Sequence, residues 1–290
     1  MAPYTESTRS ATSVGETVIE PAALVDALGP LEDAPAPTRA SAPQGRGCVG
    51  KKANVAAVIV AGGSGERFGR SGGKQLIPVF GQPLLSWSLQ AFDAVSDVGR
   101  IVVVCPEHRI DEYRSLAVEP YGIVTPVDFV PSGSLRQESA MRGVEAVPPE
   151  FKFIAVHDGA RPLITPETIV HAISVLKGTL DADGVVCGHA AIDTLKVIEA
   201  GSVVGTPDRS MFWVAQTPQV FHAEVLRQAH HAALEEGFVG TDDSSLVERI
   251  GGHVVLVACP RDNIKLTVPE DLAPIQAYLR HRYGVPESQG

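Results

Sequence analysis

The segment VAAVIVAGGSGERFGRSGGKQ, residues 55–75, constrains the fold more than any other part of the chain. Its first six residues, Val55 to Val60, are small or β-branched and apolar, which is typical of a strand buried on both faces. A glycine-rich loop follows at once, and glycines let backbone N–H groups approach a polyanion closely. A buried strand that leads into a loop suited to nucleotide phosphates predicts an α/β fold with a mostly parallel sheet.

The glycine loop also carries basic residues. Arg67 and Lys74 lie seven residues apart with Arg70 between them, so two or three positive charges can contact one phosphate chain. Fixed cations in such a place stabilise charge that develops during group transfer. The alternative interpretation is a flexible glycine turn whose basic side chains are merely solvated.

Two common phosphate-binding patterns do not fit this loop. A P-loop that ends at Gly73-Lys74 requires its first glycine at position 68, which is Phe68, and Gln75 stands where Ser or Thr is needed. A dinucleotide fingerprint that begins at Gly63 also requires its third glycine at position 68. The broken fingerprint disfavours a nicotinamide-dependent oxidoreductase. Fluorescence titration with NADH would detect the cofactor binding that such an enzyme requires.

Composition restricts the class of protein. The 290 residues are 44% hydrophobic and 20% charged, enough for one sizeable core. A net charge of −10 argues against a broad nucleic-acid surface. No apolar run reaches the ~20 residues of a membrane span, and the first residues lack the pattern of a signal peptide. Four cysteines without C-x-x-C spacing are typical of reduced thiols. These features predict a soluble globular protein of the cytoplasm with neither nucleic-acid nor membrane partners.

The chain divides into three regions. Residues 1–52 are rich in Ala, Pro, Ser, Thr and Glu and have one short apolar cluster, which predicts a disordered tail. A docking helix over Ile19 to Leu28 is the alternative. Residues 53–284 form the predicted domain, and residues 285–290 a flexible C-terminus.

Within the domain, apolar periodicity predicts alternating strands and helices. After the first strand, a short strand and turn are predicted over 78–83 and buried strands at 101–105, 127–130, 153–156, 184–189 and 254–258. Helices are predicted at 84–92, 135–147, 167–176, 223–236, from 241 onward, and at 269–280. Between about 190 and 219 the alternation lapses into short strands, which predicts a β-arm that projects from the sheet. Such arms exchange readily between subunits.

Polar residues cluster after the strand predicted at 127–130. Ser134, Arg136, Gln137 and Ser139 lie where a loop opens a helix. A helix N-terminus with small polar residues can bind a base edge or an anion, and simple capping by Ser134 is the alternative.

The next strand ends in His157-Asp158-Gly159-Ala160-Arg161-Pro162. Ligands of open parallel sheets bind beyond the carboxyl ends of the strands, so Asp158 is expected beside the glycine loop. There it would bind Mg²⁺ or orient a substrate hydroxyl, the alternative being a turn paired with Arg161. We interpret His157 as a structural histidine at the strand end.

Two later segments carry further acidic residues. Asp242 and Asp243 fit the capping pattern of a helix start better than a ligand site. Asp262 and Lys265 place an acid and a base on one loop near the C-terminus.

Five motifs, in this order and spacing, resemble the 2-C-methyl-D-erythritol 4-phosphate cytidylyltransferase family of the non-mevalonate isoprenoid pathway. They are AGGSGERFG with GGKQ (61–75), SLRQES (134–139), HDGARP (157–162), IDTLK with PDR and QTPQVF (192–221), and DNIKLT (262–267). Gly63 replaces a common alanine, and HDGARP replaces the commoner HDAARP. Neither change removes a side chain that the chemistry needs.

The resemblance implies a single Rossmann-like nucleotidyltransferase domain that transfers CMP from CTP to 2-C-methyl-D-erythritol 4-phosphate and releases pyrophosphate. The acceptor phosphate would attack the α-phosphate in line, with the assistance of Mg²⁺ or another divalent cation. Ribitol-5-phosphate cytidylyltransferases share most of these motifs, so ribitol 5-phosphate is the alternative acceptor. A nucleotide-binding regulator without catalysis is the alternative of a different class.

The motifs and the resemblance together assign the site residues. Arg67 and Lys74 are the expected catalytic residues. The expected nucleotide-binding residues are Ala61, Gly62, Gly63, Gly65, Gly133, Ser134, Arg136, Ser139 and Asp158. The expected acceptor-binding residues are Asp158, Arg161, Thr194, Arg209, Thr217 and Lys265. Asp158 and Asp262 are the expected metal ligands. The resemblance further implies a homodimer in which Thr194 and Arg209 of the arm reach the neighbouring subunit's site.

Overall fold

The computed structural model describes residues 53–63 and 73–284. The predicted N-terminal tail, the predicted flexible C-terminus, and Gly65 and Arg67 of the glycine loop lie outside the described residues. Eleven strands are present in the described part. They are β1 (Val55–Val60), β2 (Pro78–Val79), β3 (Gln82–Pro83), β4 (Val98–Cys105), β5 (Val127–Pro131), β6 (Phe153–Asp158), β7 (Gly184–Ala190), β8 (Val197–Glu199), β9 (Ser202–Gly205), β10 (Trp213–His222) and β11 (Val254–Ala258).

Seven of these strands form one central sheet in the order β11-β7-β10-β6-β1-β4-β5. β1 pairs in parallel with β4 and β6, β4 with β5, and β7 with β11. β10 is antiparallel to both of its neighbours, β6 and β7. The prediction of an α/β fold with a mostly parallel sheet is therefore confirmed.

Helices cover both faces of this sheet. They are α1 (Leu84–Asp93), α2 (Ile110–Tyr113), α3 (Arg136–Glu145), α4 (Pro166–Gly178), α5 (Ala223–Glu235), α6 (Asp243–Arg249) and α7 (Leu272–Tyr283). α1 and α4 pack on one face, and α3, α5 and α6 on the other. The predicted helix over 135–147 is three residues shorter, because it begins at Arg136 and ends at Glu145. Among the described residues, no helix is long and apolar enough to span a membrane.

β1 shows why its sequence is apolar throughout. Val55, Ala57 and Ile59 belong to the core on the α1 and α4 side, whereas Ala56 and Val58 belong to the core on the α3 and α5 side. Side chains alternate between the faces of a strand, so a strand covered on both sides needs an apolar residue at every position. This central strand holds the start of the glycine loop, Ala61 to Gly63, at its carboxyl end.

The strands predicted as buried at 127–130 and 254–258 are the two edges of the sheet. Every residue of β5 is half-buried, and Leu256 in β11 is 48% exposed. An apolar run has the same appearance in the sequence whether its strand is central or at an edge, which is the reason for this error.

A separate two-stranded sheet, β8 with β9, corresponds to the predicted arm. Ala200 and Gly201 have φ angles of 47° and 82° and form its turn. The predicted range, about 190–219, extends too far, because Gln216 to Gln219 are buried within β10 in the central sheet. Their polar side chains are satisfied by hydrogen bonds inside the domain, so polarity was a poor guide to exposure here.

Candidate active site

The loops at the carboxyl ends of β1, β5 and β6 bring the predicted nucleotide-binding segments together. Gly62, which follows β1, lies against Ser132, which follows β5, so closely that a side chain on Gly62 would overlap the Ser132 side chain. The Ala61 amide donates to the Val104 carbonyl (2.7 Å), which fixes the start of the glycine loop on β4. Glycine is therefore required at position 62 by the close approach of two loops.

The far end of the glycine loop returns at Gly73 and Lys74. Gly73 has a φ of 69°, in the left-handed region that favours glycine, and a side chain there would press on Arg109 and Gln75. Lys74 begins a short 3₁₀ turn immediately after it. The Tyr113 hydroxyl donates to the Ala61 carbonyl (3.2 Å) and lies 3.5 Å from the position that a Gly73 Cβ would occupy. Tyr113 thus contacts both ends of the loop that carries the predicted catalytic residues.

The segment after β5 is organised by hydrogen bonds to α3. The Gly133 amide donates to Ser139 Oγ (3.0 Å), and the Ser134 amide and hydroxyl both donate to Glu138 Oε2 (2.8 Å each). Ser134 does not cap the helix, because the N-cap residue of α3 is Leu135. The alternative interpretation of Ser134 as a simple cap is therefore wrong.

Asp158, at the end of β6, is the centre of a cluster of cations. Its Oδ1 accepts from Arg136 Nε (3.0 Å) and its Oδ2 accepts from Lys265 Nζ (2.7 Å). Arg161 Nε lies 3.9 Å from the same carboxylate. Four of the predicted site residues, from three separate segments, thus meet in one place. The predicted pairing of Asp158 with Arg161 is present, but it is the longest of the three contacts.

The Asp158 side chain is only 10% exposed, and its charge state follows from its partners. Burial raises its pKa, but Arg136, Lys265 and Arg161 together have the larger opposite effect and hold it well below its ordinary value. Asp158 therefore stays ionised, and it orders three cations around one point. Arg161 Nε is buried and has no hydrogen-bond partner in the described part of the chain, so Asp158, 3.9 Å away, is its nearest charged neighbour.

Thr217 connects β10 to this cluster. Its Oγ1 accepts from the Asp158 amide (3.0 Å) and contacts His157 Nδ1 (3.1 Å), while its carbonyl accepts from Asn263 Nδ2 (2.8 Å). The Arg161 side chain donates to the Asn263 carbonyl (2.7 Å). Thr217 and Asn263 thus join the segments that carry Asp158, Arg161 and Lys265 into one rigid unit.

His157 is fully buried between Thr217 and the Arg161 carbonyl, which lies 3.2 Å from Nε2. Burial lowers its pKa from 6.5 to about 4, and the neighbouring Asp158 offsets this only in part. The ring is neutral, donating from Nε2 to the Arg161 carbonyl and accepting from Thr217. This geometry supports the interpretation of His157 as a structural histidine.

We expect His157 to make the free energy of unfolding depend on pH. The unfolded chain binds a proton at this residue below pH 6.5, whereas the folded chain resists it until about pH 4, so stability falls as the pH drops through this interval. The expected loss is about 2 kcal/mol between pH 7 and pH 5. Urea unfolding of the unaltered chain and of His157→Gln at both pH values measures it, since every other histidine is common to both proteins. An equal loss in both would contradict the assignment.

Asp262, the second expected metal ligand, has a different partner. Its Oδ2 accepts from Arg282 Nη2 (3.0 Å) on α7. In the described ranges, 53–63 and 73–284, no three or more His, Cys, Asp and Glu side chains are grouped as a metal site. Any cation here would therefore take most of its ligands from bound phosphates.

Thr194 and Arg209 belong to the arm and are exposed. Arg209 Nη1 donates to the Ile192 carbonyl (2.6 Å), which lies within the same arm. Neither residue forms a hydrogen bond or ion pair with Asp158, Arg161 or Lys265. Thr194 and Arg209 are therefore the expected acceptor-binding residues that do not contact the cluster around Asp158 in the same chain.

Asp243 is a site residue that the sequence did not reveal. The prediction of a cap is correct for Asp242, which accepts from the Ser245 amide (3.0 Å), but Asp243 is buried and accepts from Arg136 Nη1 (2.9 Å). Arg136 and Asp243 are 107 positions apart in the sequence, which left no local signal for this pair.

The sequence matches the family model described as IspD, 2-C-methyl-D-erythritol 4-phosphate cytidylyltransferase, over residues 55–281. A protein of that description from Caldanaerobacter subterraneus subsp. tengcongensis is 40% identical over 228 residues, covering 78% of this chain and 99% of the relative. Another from Bacillus licheniformis is 38% identical over 226 residues, covering 78% and 96%.

Solved structures agree with these sequence matches. The 4-diphosphocytidyl-2C-methyl-D-erythritol synthase from Anaerococcus prevotii superposes with a TM-score of 0.69 at 28% identity, covering 78% of this chain and 98% of that one. The 2-C-methyl-D-erythritol 4-phosphate cytidylyltransferase from Thermus thermophilus gives 0.61 at 29% identity, covering 77% and 98%. The matches extend over the whole sheet and all the motif segments, and this chain belongs to the 2-C-methyl-D-erythritol 4-phosphate cytidylyltransferase family.

Proposed function

We propose that this chain transfers a cytidylyl group from CTP to 2-C-methyl-D-erythritol 4-phosphate, giving 4-diphosphocytidyl-2-C-methyl-D-erythritol and pyrophosphate. The observation that carries the proposal is the cluster of Arg136, Lys265 and Arg161 around Asp158 at the carboxyl edge of the sheet. Cations grouped there, next to the strand that holds the glycine loop, are suited to two anionic substrates at once.

In the proposed reaction, an acceptor phosphate oxygen bonds to the α-phosphorus of CTP as the bond to the β-phosphate oxygen breaks. The nucleophile is already an anion, so the protein's task is to position two phosphates and to neutralise their charge. Lys265 and Arg161 would hold the acceptor phosphate. Lys74 and Arg67 would stabilise the crowded α-phosphate, where negative charge accumulates in the transition state.

Nucleotide recognition is assigned to the loops after β1 and β5. Ala61, Gly62 and Gly133 would contact cytosine and ribose largely through backbone groups. Ser139 is buried, with 3% of its surface exposed, and its hydroxyl oxygen accepts a hydrogen bond from the Gly133 amide. Cytosine selection would thus depend on the rigid contact between Gly62 and Ser132.

Mg²⁺, or another divalent cation, fits this site as an ion bound mainly by the triphosphate. When bound, it would neutralise part of the phosphate charge. Asp158 is the carboxylate assigned to it, since Mg²⁺ in nucleotide sites often uses only one or two protein carboxylates, and Asp158 would contact the ion only by giving up its pair with Arg136 or Lys265. Asp262 would join only by giving up its pair with Arg282.

We further propose a cytoplasmic homodimer held by the arm. Apolar side chains on both arm strands are exposed, which is unfavourable for an isolated hairpin in water. They are Val197 (47%), Ile198 (53%), Val203 (59%) and Val204 (53%). A second copy of the arm or domain would cover them, and Thr194 and Arg209 would then contribute to the neighbouring site.

Release of pyrophosphate tests the reaction and the acceptor together. We expect release with CTP, Mg²⁺ and 2-C-methyl-D-erythritol 4-phosphate, with kcat/KM at least about tenfold higher than with ribitol 5-phosphate, because the family to which the chain belongs is described by the first acceptor. The same assay with ATP in place of CTP is the control for the base. A preference for ribitol 5-phosphate would select the other acceptor, and CTP binding without any release would indicate a regulator.

A further inference from the structure

Asp243 is a buried carboxylate that the proposed reaction does not use directly. It is the first residue of α6, its side chain is 1% exposed, and both of its oxygens are bound by side chains. Oδ2 accepts from Arg136 Nη1 (2.9 Å), and Oδ1 lies 3.1 Å from His230 Nε2 on α5. Arg136 in turn binds Asp158, so a chain of contacts extends from α5 and α6 to the centre of the site.

The contacts of Asp243 differ from those of its neighbour. Asp242 caps α6 through the Ser245 amide and accepts from Gln219 Nε2 (2.7 Å). The local needs of the helix end are therefore met without Asp243. Burial raises the pKa of Asp243, but Arg136 and His230 outweigh this and keep the carboxylate ionised. A buried charge is costly to maintain, and here its main partner is a guanidinium of the site.

Arg136 is long and flexible, and Asp158 alone cannot fix its direction. One contact through Nε leaves the rest of the guanidinium free to rotate, whereas a second carboxylate on Nη1 fixes the plane of the group. With Arg136 fixed, Asp158 Oδ1 has a single position, and Oδ2 remains directed at Lys265. The direction of two substrate-binding cations thus depends on Asp243.

We propose that Asp243 is a positioning residue for cytidylyl transfer, which acts by orienting Arg136 and, through it, Asp158 and Lys265. The proposal rests on the proposed function and deepens it. His230 supports Asp243 from behind, since it is fully buried and its Nε2 contacts only this carboxylate within the described residues.

The test compares Asp243→Asn with Asp242→Asn, two adjacent replacements of equal size and charge change. We expect Asp243→Asn to lower kcat/KM for CTP about 10- to 100-fold, because Arg136 loses one of its two carboxylate partners. Asp242→Asn should stay within about twofold, since asparagine is also a good N-cap. Asp243→Glu, which restores the charge, should recover part of the activity. Equal kinetics for the two Asn variants would overturn the proposal.

A double-mutant cycle excludes a merely structural role. In an Arg136→Ala background, Asp243→Asn should leave kcat/KM unchanged, because the group through which it acts is gone. It should also raise the thermal midpoint there, because it removes a buried carboxylate that has lost its cation. A further loss of kcat/KM by the same factor as in the native background would show that Asp243 does not act through Arg136.

Failure of the proposed function would have its own signature. If the unaltered chain released no pyrophosphate with either polyol phosphate, the reaction would be wrong while Asp243 could still order a nucleotide site. Calorimetric titration of the same variants with CTP then decides. An unchanged dissociation constant in Asp243→Asn would overturn the positioning role as well.

Discussion

We expect Lys74→Ala to lower kcat by at least ~100-fold while the fold remains intact. Lys74 follows Gly73 at the far end of the glycine-rich segment, and its charge is assigned to the α-phosphate of CTP. An interaction concentrated in the transition state affects kcat more than KM when it is lost. Arg67→Ala is expected to have an effect of the same size, although Arg67 lies outside the described residues.

Steady-state kinetics at saturating CTP measure this effect, and circular dichroism checks the fold. Lys177→Ala is a matched control, because Lys177 contacts Asn54 and Asp97 at the opposite, amino-terminal edge of the sheet. Near-normal turnover of Lys74→Ala at saturating CTP would remove Lys74 from the reaction. Parallel losses in Lys177→Ala would indicate a general effect of lost charge.

The second large effect concerns subunits that are inactive alone but active together. Arg209→Ala and Lys265→Ala homodimers should both be nearly inactive, because each site would lack one anion-binding cation. In a mixed dimer with composite sites, one site collects both lesions and the other collects neither. Refolding equal amounts together should restore about a quarter of the native activity, since half the dimers are mixed and each has one intact site.

The structure supplies a control for this experiment. Arg161 and Lys265 flank the same Asp158 in one chain, so Arg161→Ala mixed with Lys265→Ala leaves one lesion in every site. That mixture should stay inactive. No recovery with Arg209→Ala, when mass spectrometry confirms mixed dimers, would mean that the arm serves its own subunit.

Much of the site could be predicted because its parts are local. The strand and loop around Gly62, the helix start near Ser139 and the position of Asp158 all follow from patterns within a few residues. The family was identified from five such motifs, and the family model over residues 55–281 confirms it. The roles of individual residues remain predictions.

The parts that could not be predicted depend on contacts between distant segments. Nothing near Asp243 indicates that its partner is Arg136 rather than the backbone of its own helix. The polar residues around Thr217 were assigned to an exposed arm, although they are buried in β10, which lies between β6 and β7. A polar residue looks the same in the sequence whether it is buried or exposed. Only the fold decides which hydrogen bonds are available to it.

The single antiparallel strand of the sheet has a consequence for assembly. β10 enters the sheet directly from the arm at Trp213, and Thr217, four residues later, holds the Asp158 amide. One strand therefore connects the arm to the substrate site, although its pairing with β7 is irregular between Ala215 and Gln219. In the proposed dimer, the free energy of subunit association and that of acceptor binding would be linked, so each would strengthen the other by the same factor. Dilution would then weaken substrate affinity before it abolished turnover.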